Sequence, residues 1–127
     1  MAHNFFALIA RMKYIDRWGL MRNTQPENIQ EHSHMVSVLS HALAVIGREK
    51  FGSTVDPGEA AVAGLYHDAS EILTGDLPTP VKYDNPDIKA AYKAVERVAA
   101  DKLLSMLPGE LSPAFAPYVR EELDGEL

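Results

Sequence analysis

Two stretches of the chain hold side chains whose types and spacing could do chemistry. His67 and Asp68 stand side by side in an otherwise apolar run, AVAGLYHDASEIL, and three histidines, His32, His34 and His41, fall within ten residues of one another. A lone helical histidine is more often packed or solvated than a ligand. The neighbouring acid alters that balance, because a carboxylate drawn into an apolar helix is costly unless something compensates it. A divalent cation would do so. On one helix His67, Asp68 and Glu71 occur at i, i+1 and i+4, so His67 and Glu71 share a face and Asp68 lies about 100° round. If His32 faces them from a second helix, two imidazoles and a carboxylate converge. That donor set suits first-row divalent ions; calcium would ask for more oxygens and magnesium for fewer histidines.

The elements that must position these groups read as helices. Phe5, Leu8, Ile9, Met12 and Ile15 recur at helical spacing, which predicts a first helix from about residue 3 to Trp18. Arg22-Asn23-Thr24-Gln25-Pro26 is a loop by composition. Asn28 with Glu31 forms a capping box at the start of a second helix, whose core stripe is expected to be Val36, Leu39, Leu43 and Ile46, with Gly47 and Gly52 bracketing its exit. Asp56-Pro57-Gly58-Glu59 starts a third, carrying Val62, Leu65, Tyr66, Ala69, Ile72 and Leu73 and stopping before Gly75. Thr74 to Pro80, with two prolines and a glycine, is irregular. Asn85-Pro86 opens a long fourth helix on Ile88, Tyr92, Val95, Val98 or Ala99, Leu103 and Met106, broken by Pro108-Gly109; Ser112-Pro113 starts a short or kinked last element. The class is all-α, without a convincing strand or internal repeat.

Bulk properties narrow the function classes. The chain has 127 residues, one domain by length, and 46% hydrophobic content, ordinary for a globular protein. Eighteen acids against twelve bases give a net charge of −6, which argues against a nucleic-acid duplex as partner but leaves a small anion open. With no cysteine, disulfides, zinc ribbons and thiol catalysis are excluded. No stretch is apolar enough to span a bilayer, and the N-terminus, broken by Arg11, Lys13, Asp16 and Arg17, does not read as a signal peptide. The expected location is cytoplasmic.

Taken together, the stretches RWGLMRN (17–23), ENIQEHS (27–33), LYHDASEILTGDLPTPVKY (65–83) and FAP (115–117) resemble the bacterial 5′-deoxynucleotidases of the YfbR type, among the HD-domain metal-dependent phosphohydrolases. The resemblance runs in register over nearly the whole chain. A His-Asp pair alone is weak; HDASEILTGDLPTPVKY is specific. It implies an HD-domain helical bundle over residues 1–127. It also implies release of phosphate from deoxyribonucleoside 5′-monophosphates, with cobalt or manganese, or else zinc, nickel or copper, as the metal, and a homodimer.

By the same resemblance His32, His67 and Asp68 match metal ligands, with His32 and Asp68 also against substrate. Arg17 and Trp18 match a substrate-contacting pair in which the arginine orients the phosphate, a role its planar fork suits. Asp76, Leu77, Pro78 and Thr79 match a loop that closes over the nucleotide, and Glu71 an active-site carboxylate. Glu71 or Asp76 could hold a water or carry its proton, with Glu71 slightly preferred. His3, His34 and His41 are read as structural or solvent-facing. The family's fourth metal ligand is an aspartate on a later helix; here the chain ends at Leu127 and Asp124 in the acidic tail is a poor substitute. The bundle is therefore expected to be incomplete at the C-terminus. The alternatives are a module that binds metal and nucleotide without turnover, and a related hydrolase of another phosphate ester or a guanosine alarmone.

Overall fold

Three helices begin where a side chain can close the first turn. Asn28 Oδ1 accepts from the Glu31 amide at 2.9 Å while its own amide group donates to Glu31 Oε1 at 2.7 Å. Asp56 accepts from Gly58 and Glu59, and Asn85 from Asp87 and Ile88, each with a proline in the first turn. Such caps satisfy amides that a helix start otherwise leaves without partners. In the computed structural model residues 3–17, 26–75 and 85–122 are described. Their elements are α1 (Phe5–Ile9), a 3-10 turn (Ala10–Tyr14), α2 (Ile29–Phe51), α3 (Pro57–Tyr66), α4 (Glu71–Thr74), α5 (Pro86–Leu104) and α6 (Ser112–Val119). The described chain is all-α, and Asp16 and Asn28 add an isolated antiparallel bridge. None of its helices is long and apolar enough to cross a membrane.

Several boundaries differ from the sequence expectation. The first helical segment stops at Tyr14 rather than Trp18, because Ile15 turns extended (φ −101°, ψ 106°). Its backbone then pairs with the start of α2: Ile29 N–H donates to Ile15 O at 2.8 Å and Arg17 N–H to Glu27 O at 2.7 Å. Helix α2 runs through Gly47 to Phe51. The third helix is not continuous to Leu73. It ends at Tyr66, residues 67–70 form turns, and α4 adds a single further turn.

The largest correction concerns which face of α2 is buried. Leu39, Leu43 and Ile46, read as core, are 54%, 68% and 45% exposed, whereas Ile29, Ser33, Ser37 and Ala44 are buried. The cause lies across the seam in α3. A Cβ on Gly64 would stand 2.7 Å from Ser37 Cα and 2.8 Å from its nitrogen, so the two backbones touch where a side chain would otherwise keep them apart. Ser37 Oγ donates to Ala61 O at 2.8 Å across the same seam. Close approach requires small residues at the contact, and the large apolar residues of α2 are left facing outward. In α5 likewise Ile88, Val95 and Val98 are exposed, and burial falls on Ala99, Ala100, Leu103 and Leu104. The main core gathers Phe5, Ala69, Ala100, Leu103, Leu104, Leu107 and Val119 between α1, α5 and α6. Phe5, Phe6, Tyr66 and Phe115 pack edge-on or tilted around it.

Candidate metal centre

The seam between α2 and α3 brings together a histidine of α2 and a histidine at the exit of α3. His32 sits in the first turn of α2; His67 follows the last residue of α3, and Asp68 comes next in the turn. Their rings lie 5.3 Å apart, centroid to centroid. Asp68 Oδ2 is 3.1 Å from His67 Nε2 and 3.6 Å from His32 Nε2, and one donor atom from each of the three residues lies within 4.8 Å of the others. Two ligands of one first-row ion, each at about 2.1 Å, stand roughly 3–4 Å apart. Two of these spacings already match that figure, so the donor set fits a divalent metal in both chemistry and scale. All three residues are half-buried, as an accessible centre requires.

The tautomer of His67 is fixed by its own helix. His67 Nδ1 lies 2.8 Å from Gly64 O. A carbonyl can only accept, so Nδ1 carries the hydrogen and the neutral ring presents its Nε2 lone pair to the cluster. Electrostatics separate the two histidines. Burial lowers the pKa of His67, but the hydrogen bond and charge of Asp68, the Gly64 carbonyl and Glu121 outweigh it, and the net shift is upward. His32 moves downward, chiefly by burial and then by the Arg17 cation, against the pull of Asp68. At neutral pH His32 is therefore a ready ligand, and His67 holds its proton more firmly.

Arg17 reaches this neighbourhood through the backbone pairing of segment 15–17 with 27–29, and Glu27 Oε2 braces its Nη1 at 2.8 Å. Glu71 is 5% exposed at the head of α4, its amide bonded to Asp68 O at 3.0 Å. It lies outside the three-residue cluster. The break after Tyr66 replaces the continuous helix on which Glu71 and His67 would have shared a face. Trp18, Asp76, Leu77, Pro78 and Thr79 lie outside the described residues. His3, His34 and His41 are exposed.

Three contributors were not singled out from sequence. Glu27 braces Arg17; the chain offers no local sign of it, because the pair is ten residues apart. Gly64 could have been found as the residue three before His67, the register from which a helical carbonyl meets a ring nitrogen. Glu121 lies beyond α6, where it shares with His67 a cavity of about 510 Å³ also lined by Leu43, Ala44, Ala60 and Tyr118.

This arrangement of helices recurs in solved structures. An HD-domain phosphohydrolase from Listeria innocua superposes with a TM-score of 0.84 at 25% identity, over 98% of this chain and 59% of that one. A cyanophage S-2L HD phosphohydrolase, solved with dA and one catalytic zinc ion, matches with a TM-score of 0.57 at 25% identity over 90% of this chain and 64% of its own. The fold is thus that of the HD-domain phosphohydrolases, and His32, His67 and Asp68 form a cluster able to hold a divalent metal. The family model of YfbR-like 5′-deoxynucleotidases matches residues 4–127, and the chain belongs to that family. Among its relatives, a 5′-deoxynucleotidase of Vibrio parahaemolyticus is 56% identical over 91% of this chain and 60% of its own length. The 5′-deoxynucleotidase YfbR of Escherichia coli is 52% identical over 93% and 59%. The chain spans about 60% of the length of these curated relatives.

Proposed function

We propose that this protein is a metal-dependent phosphohydrolase that removes phosphate from deoxyribonucleoside 5′-monophosphates, releasing the deoxynucleoside. The observation that carries this reading is the convergence of His32, His67 and Asp68 from α2 and the α3 exit, beside Arg17, in a chain of the YfbR-like family. His32, His67 and Asp68 would hold the ion, manganese or cobalt in preference to zinc, nickel or copper. When bound, such an ion polarises phosphoryl oxygens and makes water a nucleophile at neutral pH.

The remaining roles belong to this chain's side chains. Arg17, braced by Glu27, offers a planar fork that orients the phosphate. Glu71 is the preferred carboxylate for holding a water and moving its proton, with Asp76 the other candidate. An acid as buried as Glu71 is costly to keep charged, and such expense is commonly found where chemistry is done. Trp18 and the segment Asp76–Thr79 contact the nucleoside and set the preference for deoxyribose. The working form is a cytoplasmic homodimer. The outward row of Val38, Leu39, Leu43 and Ile46 on α2 is apolar surface of the kind that association covers.

Phosphate release from dAMP and AMP, measured with added manganese or cobalt, tests the reading. Release from dAMP well above AMP, lost in Asp68→Ala, is the expected result. Equal turnover by that variant overturns the assignment of Asp68. If dAMP raises the Tm of the metal-loaded protein yet no phosphate appears with any metal, the chain is a binding module instead.

A further inference from the structure

Helix α4 is one turn long, carries Glu71 at its head and ends at Gly75 (φ 76°, ψ 166°), a conformation open to glycine and strained for other residues. A four-residue helix has little internal cohesion, so what holds its far end matters to Glu71. The Gly75 amide donates to Glu71 O at 2.8 Å, which ties that end to the backbone of the buried acid. Two hydroxyls converge on the next carbonyl. Thr74 Oγ1 donates to Gly75 O at 3.1 Å, and the Tyr92 hydroxyl, arriving from the second turn of α5, stands 3.5 Å from both Gly75 O and Thr74 Oγ1. The Tyr92 contacts are at the long limit of hydrogen bonding.

From this we infer that Tyr92 is a positioning residue: its hydroxyl, through Thr74 and the Gly75 carbonyl, anchors the end of α4 and thereby sets the placement of Glu71. The inference rests on the phosphohydrolase reading for its catalytic consequence, but not for the anchoring itself. Tyr92 lies on a different element from the metal cluster, and α4 packs against α5. Loss of the hydroxyl therefore acts on Glu71 more directly than on His32, His67 or Asp68, to which α4 is joined by the Glu71 amide on Asp68 O. Nor does it remove apolar packing, because phenylalanine keeps the ring.

The test uses the full chain and the variant Tyr92→Phe, with Thr74→Val as an independent second removal of the same anchor. Amide exchange at Gly75 should quicken by roughly two- to tenfold, the effect of one net hydrogen bond. With manganese present, kcat for dAMP should fall by a similar factor while KM and manganese affinity stay close to the parent values and Tm drops by no more than about a few degrees. Unchanged exchange at Gly75, or unchanged kcat, overturns the proposal. So does a fall in manganese affinity alongside kcat, which would make Tyr92 a general packing residue. If the parent protein itself releases no phosphate, the phosphohydrolase reading fails, and the exchange at Gly75 alone then decides whether Tyr92 is the anchor.

Discussion

The Gly64 carbonyl accepts a hydrogen bond from His67 Nδ1 at 2.8 Å, and the same residue is where α3 touches the backbone of Ser37 in α2. One glycine thus serves two tasks. It selects the tautomer that turns His67 Nε2 toward Asp68, and it permits the close crossing that brings His32 within reach.

Replacing Gly64 by valine should therefore harm two measurements together. A side chain there meets main-chain atoms of Ser37 and Val36, which cannot rotate away as a flexible side chain could. Overpacking of this kind costs about 1–3 kcal/mol, read as a lower midpoint in urea. Manganese affinity by calorimetry should fall with it, since His32 is carried on one of the helices forced apart and His67 follows directly on the other. Full affinity in a destabilised variant would show that the seam does not set the centre.

Removing one donor should act on metal rather than on fold. For His67→Gln the expected loss in manganese affinity is at least the roughly 10–100-fold seen when a mere supporting partner of a ligand is removed. The metal-free variant should unfold close to the parent, because His67 is half-buried and outside the apolar core. Unaltered affinity would remove His67 from the ligand set.

The opposite shifts of the two histidines give a pH dependence with a definite sign. His67 is raised above 6.5, so in the metal-free protein its contribution to stability is fully present below 6.5 and is lost as pH rises through the folded value. His32 is lowered, so protonating it opposes folding, and its contribution is present above 6.5 and lost as pH falls below that. Metal must displace the His67 proton. Apparent manganese affinity should accordingly rise between about pH 6 and pH 8. Calorimetry in buffers of different ionisation enthalpy should detect that proton leaving. A flat profile would contradict the assignment of His67 as a ligand.

The outward face of α2 offers a test of the packing itself. Leu43 is 68% exposed and Leu103 is 0% exposed. Leu103→Ala should cost about 2–5 kcal/mol, and Leu43→Ser under about 1 kcal/mol, compared by urea unfolding at a protein concentration low enough to keep the chain monomeric. A large cost at Leu43 under those conditions would mean that α2 buries the other face.

How much of this was legible in the chain depends on how local the cause is. Asn28, Asp56 and Asn85 could be read as helix caps because each bonds amides two or three residues away, and the structure has all three. The all-α class followed from helical periodicity, and the family from a specific run of residues around His67 and Asp68. Candidate ligands were visible because an acid and a histidine in an apolar run are conspicuous. The buried face of α2 was not legible. That helix carries a row of large apolar residues and a row of small ones, and periodicity alone favours the larger. Only the contact of Gly64 with Ser37, 27 positions away, decided that the small row faces inward. Arg17 reached His32 for a similar reason: backbone bonds between Ile15 and Ile29 and between Arg17 and Glu27 end the first helical segment early and fold it against α2. By itself, the sequence determined which residues could cap, ligate and bind. Tertiary structure decided which of them meet, because close backbone approach and long-range pairing depend on both partners at once.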